Sequence, residues 1–119
     1  MMVVISVRNI KAKARDVERV SEMNSMITVL GLYHADYNLY PVFDDYITGI
    51  DDFSVAIRAT KYISNIPTDP SEMDSNSCGS LTGYHYYYQS TDGRDYILGY
   101  CLETNSMQGR PQGENYLSP

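Results

Sequence analysis

The chain has 119 residues, of which 43% are apolar, with twelve tyrosines, two phenylalanines and no tryptophan. That is enough for one small core and too little for two domains. Its formal charge of −6 is unevenly divided: residues 1–19 hold five basic and two acidic groups, residues 20–119 four basic and thirteen acidic ones. So acidic a body repels phosphate backbones, which argues against nucleic acid as a partner. The basic first segment reads as a solvated helix face, or as a surface for anionic lipid or an acidic neighbour. The first apolar run, from Met1 to Ile10, falls short of the roughly 18–20 residues of a membrane span, and it lacks the basic n-region and cleavage site of a signal peptide.

From Val3 to Tyr40 the pattern predicts one long helix. Val20, Met23, Ile27 and Leu30 fall on one stripe, widened by Val17, Met26, Val29 and Tyr33. Ahead of Val20 the stripe lapses into Arg15, Asp16, Glu18 and Arg19, whose i,i+3 pairs suit an exposed helix. Gly31 is the weak point inside it. At about 1.5 Å per residue the helix would span roughly 57 Å. A compact domain of this size is only about 35 Å across. Part of the helix must therefore project, and the charged, core-poor residues 1–19 are the part expected to do so, with residues 20–119 forming the head of a single domain.

Residues 42–65 read as a connection containing a short helix, capped by Asp51 or Asp52 and running to about Ile63, with Phe53, Ala56 and Ile57 facing inward. Ile66-Pro67 ends that segment, and Asp69 to Gly83 is a polar loop. Tyr84–Gln89 and Tyr96–Leu102 read as two strands joined by a hairpin at Asp92-Gly93, with Tyr84, Tyr86 and Tyr88 on one face. The remainder is loop, with a short edge strand near Tyr116-Leu117. The fold class expected is α+β: a long N-terminal helix laid on a small antiparallel sheet.

Lys11 to Pro41 is a charged Lys/Arg/Ala stretch running into a helix that ends in Asn38-Leu39-Tyr40-Pro41, and Ile66-Pro67-Thr68-Asp69-Pro70 follows. In this order and spacing these motifs resemble type IV pilins and type II secretion pseudopilins. The resemblance implies a pilin-like fold and a structural filament subunit rather than an enzyme, and it fits both systems. It implies that Met1 to Val7 are the last turns of a membrane-length apolar helix. Such helices bundle in the filament core, so Val3, Val4, Ile5, Val7 and Ile10 would face neighbours. Arg8, Lys11, Lys13, Arg15, Asp16, Glu18 and Arg19 would pair between subunits. The partners implied are other pilin subunits, the assembly machinery of the inner membrane, and the membrane through the missing helix. The implied location is a cell-surface or periplasmic filament. In an exported chain Cys78 and Cys101 would form a disulfide; in the cytosol they would be two buried thiols. The alternative function is a minor pilin or adhesin-like head that contacts a surface, sugar or DNA.

No catalytic, cofactor-binding or metal-ligating set is expected. His34 lies on the apolar stripe and reads as a hydrogen-bonded residue where helix meets sheet; His85 reads as exposed. No serine or cysteine sits in a nucleophile motif, and no Gly-rich phosphate loop occurs. Asp69, Ser71, Glu72, Asp74, Ser75 and Asn76 supply hard oxygens of the kind calcium takes, but their spacing is not an EF-hand's, and a solvated loop is the better reading. Tyr86-Tyr87-Tyr88 reads as core and sheet surface in preference to a sugar- or base-stacking platform.

Overall fold

The computed structural model describes residues 3–71, 78, 81 and 85–119, with side chains from Ile10 onward. Helix α1 (Val3–Tyr37) is followed by strand β1 (Asp44–Ile47), helix α2 (Asp52–Ala59) and strands β2 (Tyr86–Gln89), β3 (Ile97–Leu102) and β4 (Gly113–Leu117). The strands form one antiparallel sheet in the order β1-β2-β3-β4. The α+β class and the long N-terminal helix agree with the sequence reading, and the molecule measures 57 × 27 × 25 Å. Among the described residues no helix is long and apolar enough to cross a membrane.

The face that α1 turns to the sheet is not quite the one hydropathy selects. Asp16, Arg19, Met23, Met26 and Leu30 are all fully buried, at spacings that keep them on one side of a helix. Val17 and Ile27, expected on the inner face, stay 56% and 36% exposed. The stripe is rotated because its first two members are charged and escape any apolar count.

The helix stops at Tyr37, three residues before the expected end. Asn38 takes a left-handed conformation (φ 63°), and its N–H donates to the His34 carbonyl at 2.8 Å. Asparagine tolerates that conformation better than most residues, so it ends the helix as glycine often does. The chain then turns back on the β2–β3 connection, where the Tyr40 N–H donates to the Gly93 carbonyl at 2.8 Å. Gly93 sits at φ 79°, and a Cβ there would stand 3.0 Å from the Tyr40 oxygen. Asp92-Gly93 thus lies in the expected turn, although the loop is longer than a two-residue hairpin.

β1 was not expected, because Asp44-Asp45-Tyr46-Ile47 shows no apolar alternation. It forms because Ile47 is fully buried and pairs with Tyr86, beside Tyr46 with Tyr87. α2 is capped by Asp51, whose side chain accepts from the Ser54 N–H at 3.1 Å, and by Asp45 of β1, which accepts from the Phe53 N–H at 3.1 Å. The helix ends at Ala59 instead of Ile63, with left-handed Lys61 just beyond its Thr60 cap. Phe53 and Ile57 are buried as expected, joined by Ser54; Ala56 is half-buried. β4 extends the edge strand expected near Tyr116-Leu117 back to Gly113.

Strand alternation divides the tyrosines. Tyr86, Tyr88 and Tyr100 lie on the core face with Ile47, Leu98 and Leu102. Their hydroxyls are matched: Tyr86 donates to Glu22 at 2.5 Å, Tyr88 to the Pro41 carbonyl at 2.6 Å, and Tyr100 accepts from Arg110 at 3.0 Å. An aromatic chain closes the far end of the core, with His34 4.5 Å from Tyr40, Tyr40 4.8 Å from Tyr96, and Phe53 stacked on Tyr88 at 4.1 Å. Tyr84, assigned to the same face, lies outside the described residues.

The opposite face carries Tyr46, Tyr87, Gly99, Cys101 and Tyr116. Cys101 is joined to Cys78 by a disulfide, with Cα atoms 6.4 Å apart. The staple therefore sits on the outer side of the sheet and holds Cys78 and Leu81 against it.

Candidate functional site

The projecting helix meets the head through a buried ionic cluster. Arg19 is fully buried, and its guanidinium forks onto Asp69, Nε to Oδ2 at 2.9 Å and Nη2 to Oδ1 at 3.1 Å. Nη2 also donates to Ser71 Oγ at 3.0 Å, and Nη1 donates to Asp16 and to Glu103 at 2.8 Å each. One turn earlier Arg15 grips both Glu103 oxygens, at 2.5 and 2.7 Å. Asp16, also fully buried, accepts from the Glu103 and Thr104 backbone N–H groups at 2.9 Å and from the Thr104 hydroxyl at 2.7 Å. It caps the chain just where it leaves β3.

Two guanidiniums thus face three carboxylates, with Arg19, Asp16 and Asp69 out of water and Arg15 and Glu103 at its edge. Burial works against a charged Arg19, but its bonds to Asp69 and Glu103 prevail and hold the guanidinium above its ordinary value. The Arg15 bond holds Glu103 below the ordinary glutamate range, with Arg19 adding to it against the cost of burial. Asp69 moves the other way: its burial outweighs the help of Arg19 and the Ser71 N–H. Glu22, next along the same helix side, is also pushed up by burial, opposed by the Tyr86 hydroxyl and reinforced by the nearby charges of Glu18 and Asp69.

This arrangement gives three of the stem charges partners within their own chain. Asp16 and Arg19, assigned from the sequence to pairs between subunits, direct their bonds into their own head, and Arg15 does the same from a half-buried position. Such charges leave water only when each is matched by an opposite charge or a hydrogen bond, and Asp69, Glu103 and Thr104 supply those matches. The junction with the head thus lies within the last turn of the segment assigned to the stem, residues 15–19, where Val17 and Glu18 stay exposed beside the buried pair. Ile10, Lys11, Lys13 and Glu18 are exposed on that segment, whereas the side chains of Val3, Val4, Ile5, Val7 and Arg8 lie outside those described.

The remaining candidates disperse. His34 is half-buried against Tyr40, and His85 is half-buried 6.2 Å from Tyr46 instead of exposed. Of the acidic loop, Asp69 and Ser71 are engaged by Arg19, while Glu72, Asp74, Ser75 and Asn76 lie outside the described residues. Among the described residues no group of three or more His, Cys, Asp or Glu side chains is placed to hold a metal ion. Glu103 and Thr104 were invisible to sequence reasoning, because their partner on α1 lies 87 and 88 positions away. Asp69 carried the one available signal, a carboxylate set between Pro67 and Pro70. Comparison with known proteins finds no matching family model, curated protein or solved structure.

Proposed function

We propose that this chain is a structural subunit of a filament of the type IV pilus or type II secretion pseudopilus kind, assembled through α1. The observation that carries this reading is the exposed stem. Ile10 and Val17 are 63% and 56% exposed on a helix of 35 residues, beside exposed Lys11, Lys13 and Ala14. Such side chains gain free energy when a neighbouring helix covers them. The ionic cluster suits the same role, since it fixes the angle between stem and head and would pass a pull on one to the other. The order of the Asn-Leu-Tyr-Pro and Ile-Pro-Thr-Asp-Pro motifs behind that helix adds the family resemblance. On this reading the head forms the filament surface, other subunits are the principal partners, and an inner-membrane machine assembles them.

Mass spectrometry of the native N-terminus, on material sheared from cells or extracted from membranes, tests the proposal. The expected chain is extended by about 20–25 apolar residues, enough to span a bilayer, and starts with an N-methylated aromatic residue. A native chain that starts at Met1 and stays in the cytosol overturns the filament reading.

A further inference from the structure

The end of the sheet away from the stem carries a second feature. β3 meets the ionic cluster where it ends, at Glu103 and Thr104. Its first residue, Ile97, lies at the opposite end of the sheet, paired with Gln89 of β2. Both alternate with the core-facing Tyr88 and Leu98, so both belong to the outer face. Together with Ser118, just past β4, and with Thr91 and Asp95 of the β2–β3 connection, they line a cavity of about 300 Å³. That is the small end of the range of small-molecule sites.

The rim of this cavity is held in place by its own chain. Buried Ser90 donates its N–H to the Phe43 carbonyl at 2.8 Å. Its hydroxyl accepts from the Gly93 N–H at 3.1 Å and donates to the Asp95 carbonyl at 2.6 Å. Thr91 and Asp95 thus stand on a tied loop, so little further ordering is needed on binding. Their side chains are uncommitted: among the described residues, no hydrogen bond or ion pair engages those of Gln89, Thr91, Asp95 or Ser118. Thr91, Asp95 and Ser118 are exposed, Gln89 is half-buried, and Ile97 is 38% exposed. The set is mixed: the carboxylate accepts, the amide both donates and accepts, each hydroxyl does either, and Ile97 adds an apolar floor. A simple cation would leave the amide N–H groups idle. An anion would meet Asp95 on a body that holds thirteen acidic groups against four basic ones over residues 20–119. An apolar ligand would strip water from four polar groups and return no bond. A sugar ring suits all of them, since its hydroxyls donate and accept and its C–H face is apolar.

We propose that the cavity between Gln89, Thr91, Asp95, Ile97 and Ser118 binds a neutral sugar unit. The Asp95 carboxylate accepts from ring hydroxyls, the Gln89 amide donates and accepts, the Thr91 and Ser118 hydroxyls complete the set, and the C–H face lies on Ile97. The proposal is independent of the filament reading, because it uses no residue of α1.

The test follows the isotope-labelled full chain by NMR, reading the Gln89 side-chain amide, the Thr91 and Asp95 backbone amides and the Ile97 methyl groups. The titrants are glucose, galactose, mannose and N-acetylglucosamine, their methyl glycosides, and two charged controls, glucuronate and N-acetyl-lysinamide. At least one neutral sugar should shift these resonances saturably, and both controls should bind more weakly than it does. Asp95→Ala should weaken that binding about tenfold, as the loss of bonds to a charged group requires, and Gln89→Ala about fivefold; thermal melts check that each variant folds. A methyl glycoside that binds as well as the free sugar would make the ligand the end of a glycan, and one that binds worse a free sugar. If no neutral sugar moves these resonances, if either control binds as tightly as the best sugar, or if binding survives both variants unchanged, the proposal is overturned.

Discussion

Arg19 is the side chain on which the junction of stem and head depends. A fully buried guanidinium is tolerated because each of its edges meets an oxygen: Asp69 by the fork, and Ser71, Asp16 and Glu103 beside it. Removing one partner of a buried pair leaves the others charged and unmatched. Arg19→Met should therefore lower the unfolding free energy by about 3–5 kcal/mol, measured by urea denaturation. Arg19→Lys keeps the charge without the fork and should recover only part of that loss. Glu22 offers the opposite case. Its pKa is raised in the folded chain, chiefly by burial. The fold thus favours its protonated form, a contribution present below the ordinary value of 4.5 and lost as pH rises through the folded value. Glutamine mimics the protonated acid and still accepts from Tyr86. Glu22→Gln should melt higher than the parent at neutral pH, and the two melting temperatures should converge in acid.

Among the elements, α2 shows how far local chemistry reaches. Asp51 accepts from the Thr48 and Gly49 N–H groups at 2.9 and 3.2 Å and from the Ser54 hydroxyl at 2.5 Å, besides the Ser54 N–H. Burial opposes its charge, but these bonds prevail and hold its pKa below the ordinary aspartate value. The stability it adds is therefore present above that value and lost as pH falls through the lower folded one. Asp51→Ala should cost about 1 kcal/mol, read as a lower urea midpoint with an unchanged slope. The start of this helix was legible to within one residue, Asp51 or Asp52, because capping is a matter of a few neighbouring residues. Its end at Ala59 fell short of the expected Ile63. β1 was not legible, since its acidic first half looks like loop until β2 lies beside it. The same contrast runs through α1. Its apolar second half announced a helix, whereas its true inner stripe passes through Asp16 and Arg19 and cannot be found by counting apolar residues.

At the scale of the molecule, the Cys78–Cys101 disulfide is the one covalent link across the fold among the described residues. The sheet has α1 and the aromatic chain on one side and Cys78 and Leu81 on the other. Cross-linking Cys78 to Cys101, at a sequence separation of 23, restricts the unfolded chain. In the chain-entropy model this is worth about 3 kcal/mol. Reduction should therefore shift the urea transition to a markedly lower midpoint, and Cys78→Ser should reproduce the shift without reductant. A transition unmoved by both would mean that the loop contributes nothing to the stability of the head.

By itself the sequence determined the long helix, the start of α2 to within one residue, the two late strands and the asymmetry of charge along the chain. These follow from spacing, capping chemistry and composition, which act over a few residues or over none. Tertiary structure alone decided which charges are buried, which tyrosine face of the sheet meets the core, and where the helix joins the head. Those outcomes rest on pairings such as Arg19 with Asp69 and Asp16 with Thr104, 50 and 88 positions apart. A buried charge and a solvated one are the same letter until the chain supplies, or withholds, the opposite charge that replaces water.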